Sequence, residues 1–152
     1  EVFVGDKPTG TLTLANLELG GNLWLLATGT GIAPYISLLR DPELFNSFDN
    51  VNIVWTTRLI AEQTCFKEFI ASTASNFYCS TTRESSELEG RVQLLIEKKM
   101  ILKDASPKTD KIMICGSIDF NNEMKMYFNN KGWQEGSTKI AGTFVQERAF
   151  VS

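Results

Sequence analysis

The segment from Asn22 to Leu39, NLWLLATGTGIAPYISLL, decides the fold. Its first part, Asn22 to Thr28, is mostly apolar, which predicts a buried β-strand. The turn Gly29-Thr30-Gly31 ends that strand. Pro34 suits the first turn of a following helix, where the N–H group that proline lacks would have no partner. A buried strand that passes through glycines into a helix predicts the first β-α unit of a parallel sheet.

The alternation of strand and helix continues to the end of the chain. Further strands are predicted at 51–55, 77–82, 111–115 and 143–146, and helices around 62–71, from 92, and from 117 to 132. Phe66 and Phe69 fall on one face of the helix at 62–71, which indicates core positions instead of cofactor contacts. The order predicts an α/β protein with a doubly wound, five-stranded parallel sheet, helices on both faces, and ligands at the carboxyl ends of the strands.

The first 22 residues do not follow this alternation. The runs 2–4 and 11–14, separated by a glycine and proline turn, predict a β-hairpin. We therefore divide the chain into a β unit at 1–22 and a wound domain at 23–152. Because the hairpin does not fit the alternation of strand and helix, it is expected to be the end of a preceding β-domain. The start at Glu1 instead of Met indicates a cut or processed chain.

Composition restricts the classes of function. The chain has 152 residues, of which 43% are hydrophobic and 22% charged, as expected for a domain with its own core. A net charge of -3 argues against binding to nucleic acid or an anionic membrane, and no segment approaches the roughly 20 apolar residues of a membrane span. The chain lacks histidine, and Cys65, Cys79 and Cys115 are far apart, so no metal site is expected and triad hydrolysis is disfavoured. The cysteine pattern favours a reduced, cytoplasmic protein, and redox chemistry on a bound cofactor stays open.

The glycine turn is the first candidate binding element. Thr28, Gly29, Thr30 and Gly31 lie between a strand and a helix, where backbone N–H groups and the positive helix end can meet a pyrophosphate. Pro34 occupies the position of the third glycine in the dinucleotide fingerprint G-x-G-x-x-G. The alternative is a tight strand-to-helix turn without a ligand.

Three arginines are candidates for a second phosphate. Arg58 follows the second strand, where NAD-specific sites usually carry an acid, and a cation there favours the 2′-phosphate of NADP. The third strand ends at Thr82-Arg83, and Arg91 begins the next helix. The planar guanidinium group binds phosphate oxygens bidentately, so a shared place at the strand ends predicts a phosphate site. Taken singly, each arginine fits a solvated surface residue better than a binding residue, and only their shared place at the strand ends favours the phosphate site.

The fourth strand and the C-terminus supply the remaining candidates. Cys115-Gly116-Ser117 closes the fourth strand with small residues that leave room for a flat ring, although a buried structural cysteine is the alternative. The chain ends on the apolar run Ala149-Phe150-Val151, so Phe150 is expected to be covered by another group.

These motifs, in this order and spacing over nearly the whole chain, closely resemble the C-terminal NADP(H)-binding domain of bacterial ferredoxin/flavodoxin–NADP reductases. The resemblance rests on 23–34, Thr82-Arg83-Glu84, Gly90-Arg91, 115–117 and 147–151. It implies that the turn 28–31 holds the NADP pyrophosphate and that Arg58, Arg83 and Arg91, with Thr82, bind the 2′-phosphate. It also implies that residues 1–22 are the end of an FAD-binding β-barrel.

The resemblance implies the redox residues as well. Cys115, with Gly116 and Ser117 after it, would lie beside the nicotinamide where hydride passes to or from the flavin. Glu147 would lie near the redox centre, Ala149 over the isoalloxazine ring, and Phe150 near the FAD adenine. Cys115 and Glu147 are therefore the expected catalytic residues.

The function implied by the resemblance is hydride transfer between NADPH and FAD, with electrons exchanged with ferredoxin or flavodoxin. The FAD-binding motif R-x-Y-S of the family has no counterpart in this chain. The chain alone is therefore expected to bind NADP(H) without turnover. Two alternatives stay open: the reductase component of an oxygenase, and a non-catalytic module that binds a nucleotide phosphate.

Overall fold

The fold is built on one parallel β-sheet, seen in a computed structural model that describes residues 10–149. Its strand order is β4-β3-β2-β1-β5-β6. The strands are β1 (Asn22–Thr28), β2 (Asn50–Thr57), β3 (Asn76–Thr81), β4 (Leu88–Glu89), β5 (Asp110–Gly116) and β6 (Phe144–Arg148). The α-helices are α1 (Ala33–Leu38), α2 (Pro42–Ser47), α3 (Lys67–Thr73), α4 (Val92–Glu97) and α5 (Ile118–Asn130).

Strand β1 lies at the centre of the sheet and contributes to both hydrophobic cores. Leu23, Leu25 and Ala27 pack in the core that includes residues of α1, α2 and α3. Leu26 packs in the other core, with residues of α4 and α5. All four side chains are fully buried. A strand covered on both faces must be apolar along its length, which is why β1 carries the strongest strand signal in the sequence.

The chain winds outward from β1 in two directions. It proceeds through β2, β3 and β4 on one side, and then crosses over to β5 and β6 on the other. The reversal places a crevice between the carboxyl ends of β1 and β5, where wound sheets bind their ligands. The predicted doubly wound parallel sheet is confirmed.

The sheet has one more strand than the five predicted. β4 pairs Leu88 with Ser80 and Glu89 with Thr81 at one edge. A strand of two residues shows no period-2 pattern, so the sequence carries no signal for it.

The helix expected around 62–71 is divided into a 3-10 helix at Ile60–Gln63 and α3. The buried amide of Gln63 donates to Thr57 Oγ1 at 2.8 Å and to the Ser80 carbonyl at 3.1 Å. This amide fastens the first turn to the ends of β2 and β3, so the helical face assumed for this segment does not exist. The prediction that Phe66 is a core residue is wrong, since it is 37% exposed, whereas Phe69 packs partly against the core.

The segment before β1 packs on the wound domain. Residues 10–21 form a 3-10 helix at Leu14–Asn16 and an isolated bridge between Leu17 and Gly142, but no strand. The predicted strand at 11–14 is therefore wrong, and the other half of the hairpin lies outside the described residues. Leu12 and Leu17 are buried in the core beneath α1. The division of the chain at residue 22 stays a prediction.

A buried carboxylate joins the amino ends of β1 and β5. Asp110 Oδ1 accepts hydrogen bonds from Trp24 Nε1 at 3.0 Å and Asn22 Nδ2 at 3.2 Å. Its Oδ2 accepts from the Ser106 N–H at 3.1 Å and the Thr109 hydroxyl at 2.6 Å. One charged side chain at the start of β5 thus satisfies donors from β1 and from the loop before β5.

We expect Asp110→Ala to lower the free energy of unfolding by about 2 to 4 kcal/mol, because buried donors lose a charged acceptor. Urea denaturation followed by tryptophan fluorescence measures the change. Asp49→Ala is the matched control, since Asp49 is an exposed acid at the same end of the sheet. Equal losses in the two variants would contradict the structural role of Asp110.

Candidate functional site

A cleft of about 850 Å³ opens at the carboxyl ends of the central strands. Its walls come from the turn after β1, the loops after β2 and β3, and the first residues of α4 and α5. Eight predicted site residues line it: Thr28, Gly29, Thr30, Arg58, Thr82, Arg91, Ser117 and Ala149. The cleft therefore lies where the wound topology and the sequence motifs both predicted a ligand site.

The turn after β1 forms part of the cleft wall and is a 3-10 helix at Gly29–Ile32. Gly29 has a positive φ of 52°, and a Cβ atom there would meet nothing within 4 Å. The Gly29 carbonyl accepts a hydrogen bond from Trp55 Nε1 at 2.8 Å. The turn is thus held from β2 while its surface stays open toward the cleft.

Two other glycines permit close packing between β1 and β5. A Cβ atom on Gly31 would lie 2.1 Å from the carbonyl oxygen of Cys115, and one on Gly116 would lie 2.2 Å from Thr28 Oγ1. Both distances are shorter than any contact that a Cβ atom makes. Gly31 and Gly116 do not line the cleft, and the structure gives them a packing role; their contact with a cofactor stays a prediction.

Two of the three predicted arginines line the cleft. Arg58 follows β2, and its side chain is 65% exposed. Arg91 is the N-cap residue of α4. These residues provide two exposed guanidinium groups on the walls that also contain the glycine turn.

Arg83 faces an adjoining depression of about 530 Å³ instead of the cleft. Its backbone N–H donates to the Arg58 carbonyl at 3.0 Å, and the Thr82 N–H donates to the Thr57 carbonyl at 3.0 Å. The loops after β2 and β3 are therefore joined directly. Arg58 and Arg91 thus line one cleft and Arg83 the adjoining depression; a shared phosphate site for the three arginines stays a prediction.

Cys115 lies beneath the site and not on its surface. It is 1% exposed and belongs to the core beneath α1. Burial, with a smaller contribution from the nearby Glu147 carboxylate, raises the pKa of its thiol to about 12. Cys115 is therefore a neutral thiol at physiological pH, as in the alternative of a buried structural cysteine.

The Glu147 carboxylate contacts the segment before β1. Its Oε2 accepts from the Thr11 N–H at 2.9 Å and from the Leu12 N–H at 3.3 Å. Its backbone carbonyl accepts from Asn121 Nδ2 at 2.8 Å. Glu147 pairs with Cys115 across β5 and β6, but neither residue lines the cleft.

One end of the cleft is formed by small residues that follow β5 and β6. Ser117 caps α5 by accepting from the Phe120 N–H at 3.3 Å. The Ala149 N–H donates to the Gly116 carbonyl at 3.0 Å. Ser117 and Ala149 line the cleft as predicted, whereas Phe150 lies outside the described residues.

Twelve further residues line the cleft, and none of them was predicted as a site residue from the sequence. They are Ile32, Ala33, Trp55, Thr56, Thr57, Glu62, Cys65, Phe66, Gln93, Asp119, Phe120 and Glu123. Trp55 could have been found, because it is the last residue of the strand predicted at 51–55, and ligands were expected at the carboxyl ends of the strands. Asp119 and Glu123 are four residues apart after the Ser117 cap, a spacing that places both on one face of α5. Phe66 could not have been found from the sequence, because its exposure depends on the break in the helix before α3.

Two classes of site are absent from residues 10–149. None of the helices there is both long and apolar enough to cross a membrane. Histidine, cysteine and acidic side chains nowhere gather in threes as a metal centre would require. The cleft is therefore the main candidate site in the described part of the chain.

Comparison with known proteins links this cleft to a family of redox domains. The family model for the oxidoreductase NAD-binding domain matches residues 25–126, more than half of the chain. This match contains the glycine turn, all three arginines, and residues 115–117.

Curated relatives are similar over almost the whole chain. Ferredoxin–NADP reductase A of Sorangium cellulosum is 34% identical, with 98% of this chain and 60% of the relative covered. The flavodoxin/ferredoxin–NADP reductase of Rhodobacter capsulatus is 33% identical, with coverage of 99% and 62%. The chain therefore spans about three fifths of the length of these relatives.

A solved structure extends the likeness to the fold. The ferredoxin NADP+ reductase of Neisseria gonorrhoeae, with bound FAD and NADP, superposes with a TM-score of 0.83 at 26% identity and covers 93% of this chain and 61% of that one. The predicted resemblance to bacterial ferredoxin/flavodoxin–NADP reductases is thus confirmed, and the chain belongs to the oxidoreductase NAD-binding domain family.

Proposed function

We propose that this chain binds NADP(H) as the nucleotide-binding domain of a flavin-dependent ferredoxin/flavodoxin–NADP reductase. The observation that carries the proposal is that Arg58 and Arg91 line the same cleft as the glycine turn, at the switch point of the sheet. Guanidinium groups beside an open turn suit a dinucleotide with an additional phosphate. The names of the relatives support the same cofactor and reaction.

The geometry of the cleft supports a dinucleotide as its ligand. Its volume of about 850 Å³ suits a large ligand, and Gly29 leaves the surface of the turn unobstructed. In this proposal Thr28, Gly29 and Thr30 hold the pyrophosphate, while Arg58, Arg91 and Thr82 bind the 2′-phosphate. Arg83 in the adjoining depression supplies additional positive potential.

The nicotinamide is proposed to lie at the end of the cleft formed by Ser117 and Ala149. When bound, NADPH supplies the hydride that FAD accepts. Gly31 and Gly116 let the backbones of β1 and β5 approach closely next to Ser117. The buried Cys115 thiol stays uncharged beneath this end of the cleft, and this avoids a thiolate next to the reacting ring.

FAD is proposed to bind mainly to a preceding domain. Of the described residues, Ala149 is the predicted flavin contact that reaches the cleft, and Glu147 near the redox centre stays part of the proposal. Ferredoxin or flavodoxin is the proposed electron-transfer partner. A cytoplasmic location is proposed from the free thiols of Cys65, Cys79 and Cys115.

Removing either cleft arginine should weaken NADP+ binding by about 10- to 100-fold, since a charged hydrogen bond contributes roughly 1.5 to 3 kcal/mol. Arg58→Ala and Arg91→Ala should leave NAD+ affinity nearly unchanged, because NAD+ lacks the 2′-phosphate. Titration calorimetry with both nucleotides measures this difference. Arg83→Ala is expected to have a smaller effect.

Arg40→Ala is the control for this series. Arg40 is exposed, and its guanidinium lies 5.4 Å from the centre of the Phe69 ring, outside the cleft. Removing this guanidinium group should change the affinity for neither NADP+ nor NAD+. Parallel losses of NADP+ and NAD+ binding in Arg58→Ala would refute the assignment of the 2′-phosphate.

The full-length natural protein should be yellow and should reduce ferricyanide with NADPH, whereas residues 1–152 alone should bind NADPH without turnover. The physical reason is that hydride transfer needs an acceptor flavin held next to the nicotinamide. Absorbance spectra and steady-state kinetics measure both properties. A colourless full-length protein that binds NADP+ would favour a non-catalytic binding module.

A further inference from the structure

Arg58 already has an anionic partner inside the cleft. Its Nε lies 3.9 Å from Glu62 Oε1, and its backbone N–H donates to Glu62 Oε2 at 3.3 Å. Both side chains line the cleft, and both are partly exposed, at 65% for Arg58 and 37% for Glu62. A ligand phosphate that reaches Arg58 must therefore approach a carboxylate that is placed next to it.

Glu62 is the acid best placed for this competition. Asp119 and Glu123 also line the cleft, but Glu123 accepts a hydrogen bond from Gln93, and Asp119 is in the first turn of α5. Glu62 alone among the three forms an ion pair with one of the cleft arginines. Its position is fixed by the neighbouring Gln63, whose buried amide ties this turn to the strand ends.

We infer that Glu62 is an internal competitor that occupies Arg58 until a ligand phosphate displaces it, and so sets the affinity of the cleft for 2′-phosphorylated nucleotides. This inference rests on the proposed function, since the displaced contact is the one proposed for the 2′-phosphate. The apparent affinity for a ligand falls by the fraction of molecules whose binding group is free. An exposed ion pair is weak, so the reduction is about two- to fivefold.

The competition affects binding of the 2′-phosphate and leaves binding of the pyrophosphate at the glycine turn unaffected. A nucleotide without the 2′-phosphate does not need Arg58, so Glu62 should not alter its binding. The effect of Glu62 should also vanish when Arg58 is absent. These two conditions separate competition for the arginine from general repulsion between Glu62 and any anion, which would act in both cases.

The test is a double-mutant cycle on residues 1–152. Glu62→Gln removes the charge but keeps an oxygen that can accept from the Arg58 N–H. Affinities for NADP+, NAD+ and adenosine 2′-monophosphate are measured by calorimetry for wild type, Glu62→Gln, Arg58→Ala and the double variant, at one low ionic strength. Glu68→Gln is the control, because Glu68 is a nearby exposed acid that does not line the cleft.

The inference predicts that Glu62→Gln increases the affinity for NADP+ and adenosine 2′-monophosphate by about two- to fivefold and leaves the affinity for NAD+ unchanged. The double variant should bind NADP+ no more tightly than Arg58→Ala does, and the Glu68→Gln control should bind it as wild type does. An unchanged NADP+ affinity, or an equal gain in the Arg58→Ala background, overturns it. The proposed function is tested separately by Arg58→Ala. If that variant binds NADP+ normally, the proposed function and this inference both fail; if it binds weakly and Glu62→Gln has no effect, only this inference fails.

Discussion

The close contact between the ends of β1 and β5 is the constraint on which the site depends. Gly31 leaves no room for a side chain above the Cys115 carbonyl, and Gly116 leaves none beside Thr28. These contacts bring the turn after β1 directly onto the neighbouring strand at the point where the strand order reverses. Trp55 then fixes the turn from β2 through the Gly29 carbonyl. Backbone packing therefore fixes the position of the turn, and the side chains that line the cleft lie around it.

The two ends of the sheet have different physical roles. At the amino ends, the buried Asp110 carboxylate satisfies the donors around it with four hydrogen bonds, which stabilises the start of β1 and β5. At the carboxyl ends, Arg58 and Arg91 are exposed, and Arg58 forms an exposed ion pair with Glu62. Exposed cations can change partners at small cost, so this end is suited to exchange a ligand while the other end keeps the strands in register. The proposed competition at Arg58 is one consequence of that division.

Sequence patterns predicted the architecture well where burial alone decides the structure. β1 was predicted to the residue, because a strand buried on both faces is apolar throughout. The prediction for β2 stopped at Trp55, although the strand continues to Thr57. Thr56 and Thr57 are buried polar residues whose partners come from β3 and from Gln63. Such partners are fixed only by tertiary structure, and the same holds for Phe66 and for the edge strand β4. Arg83 lines the adjoining depression, in a loop that its backbone N–H joins to the Arg58 carbonyl, and this contact is likewise a feature of the tertiary structure.

We propose above all that Arg58 and Arg91 bind the 2′-phosphate of NADP(H) in the cleft that contains the glycine turn. A crystal structure of the chain soaked with NADP+ tests it most directly. We predict the 2′-phosphate oxygens within hydrogen-bonding distance of both guanidinium groups, and the pyrophosphate against Gly29 and Thr30. A 2′-phosphate bound elsewhere, with neither arginine in contact with it, would contradict the assignment of the phosphate site. The doubly wound sheet would not be affected by that result.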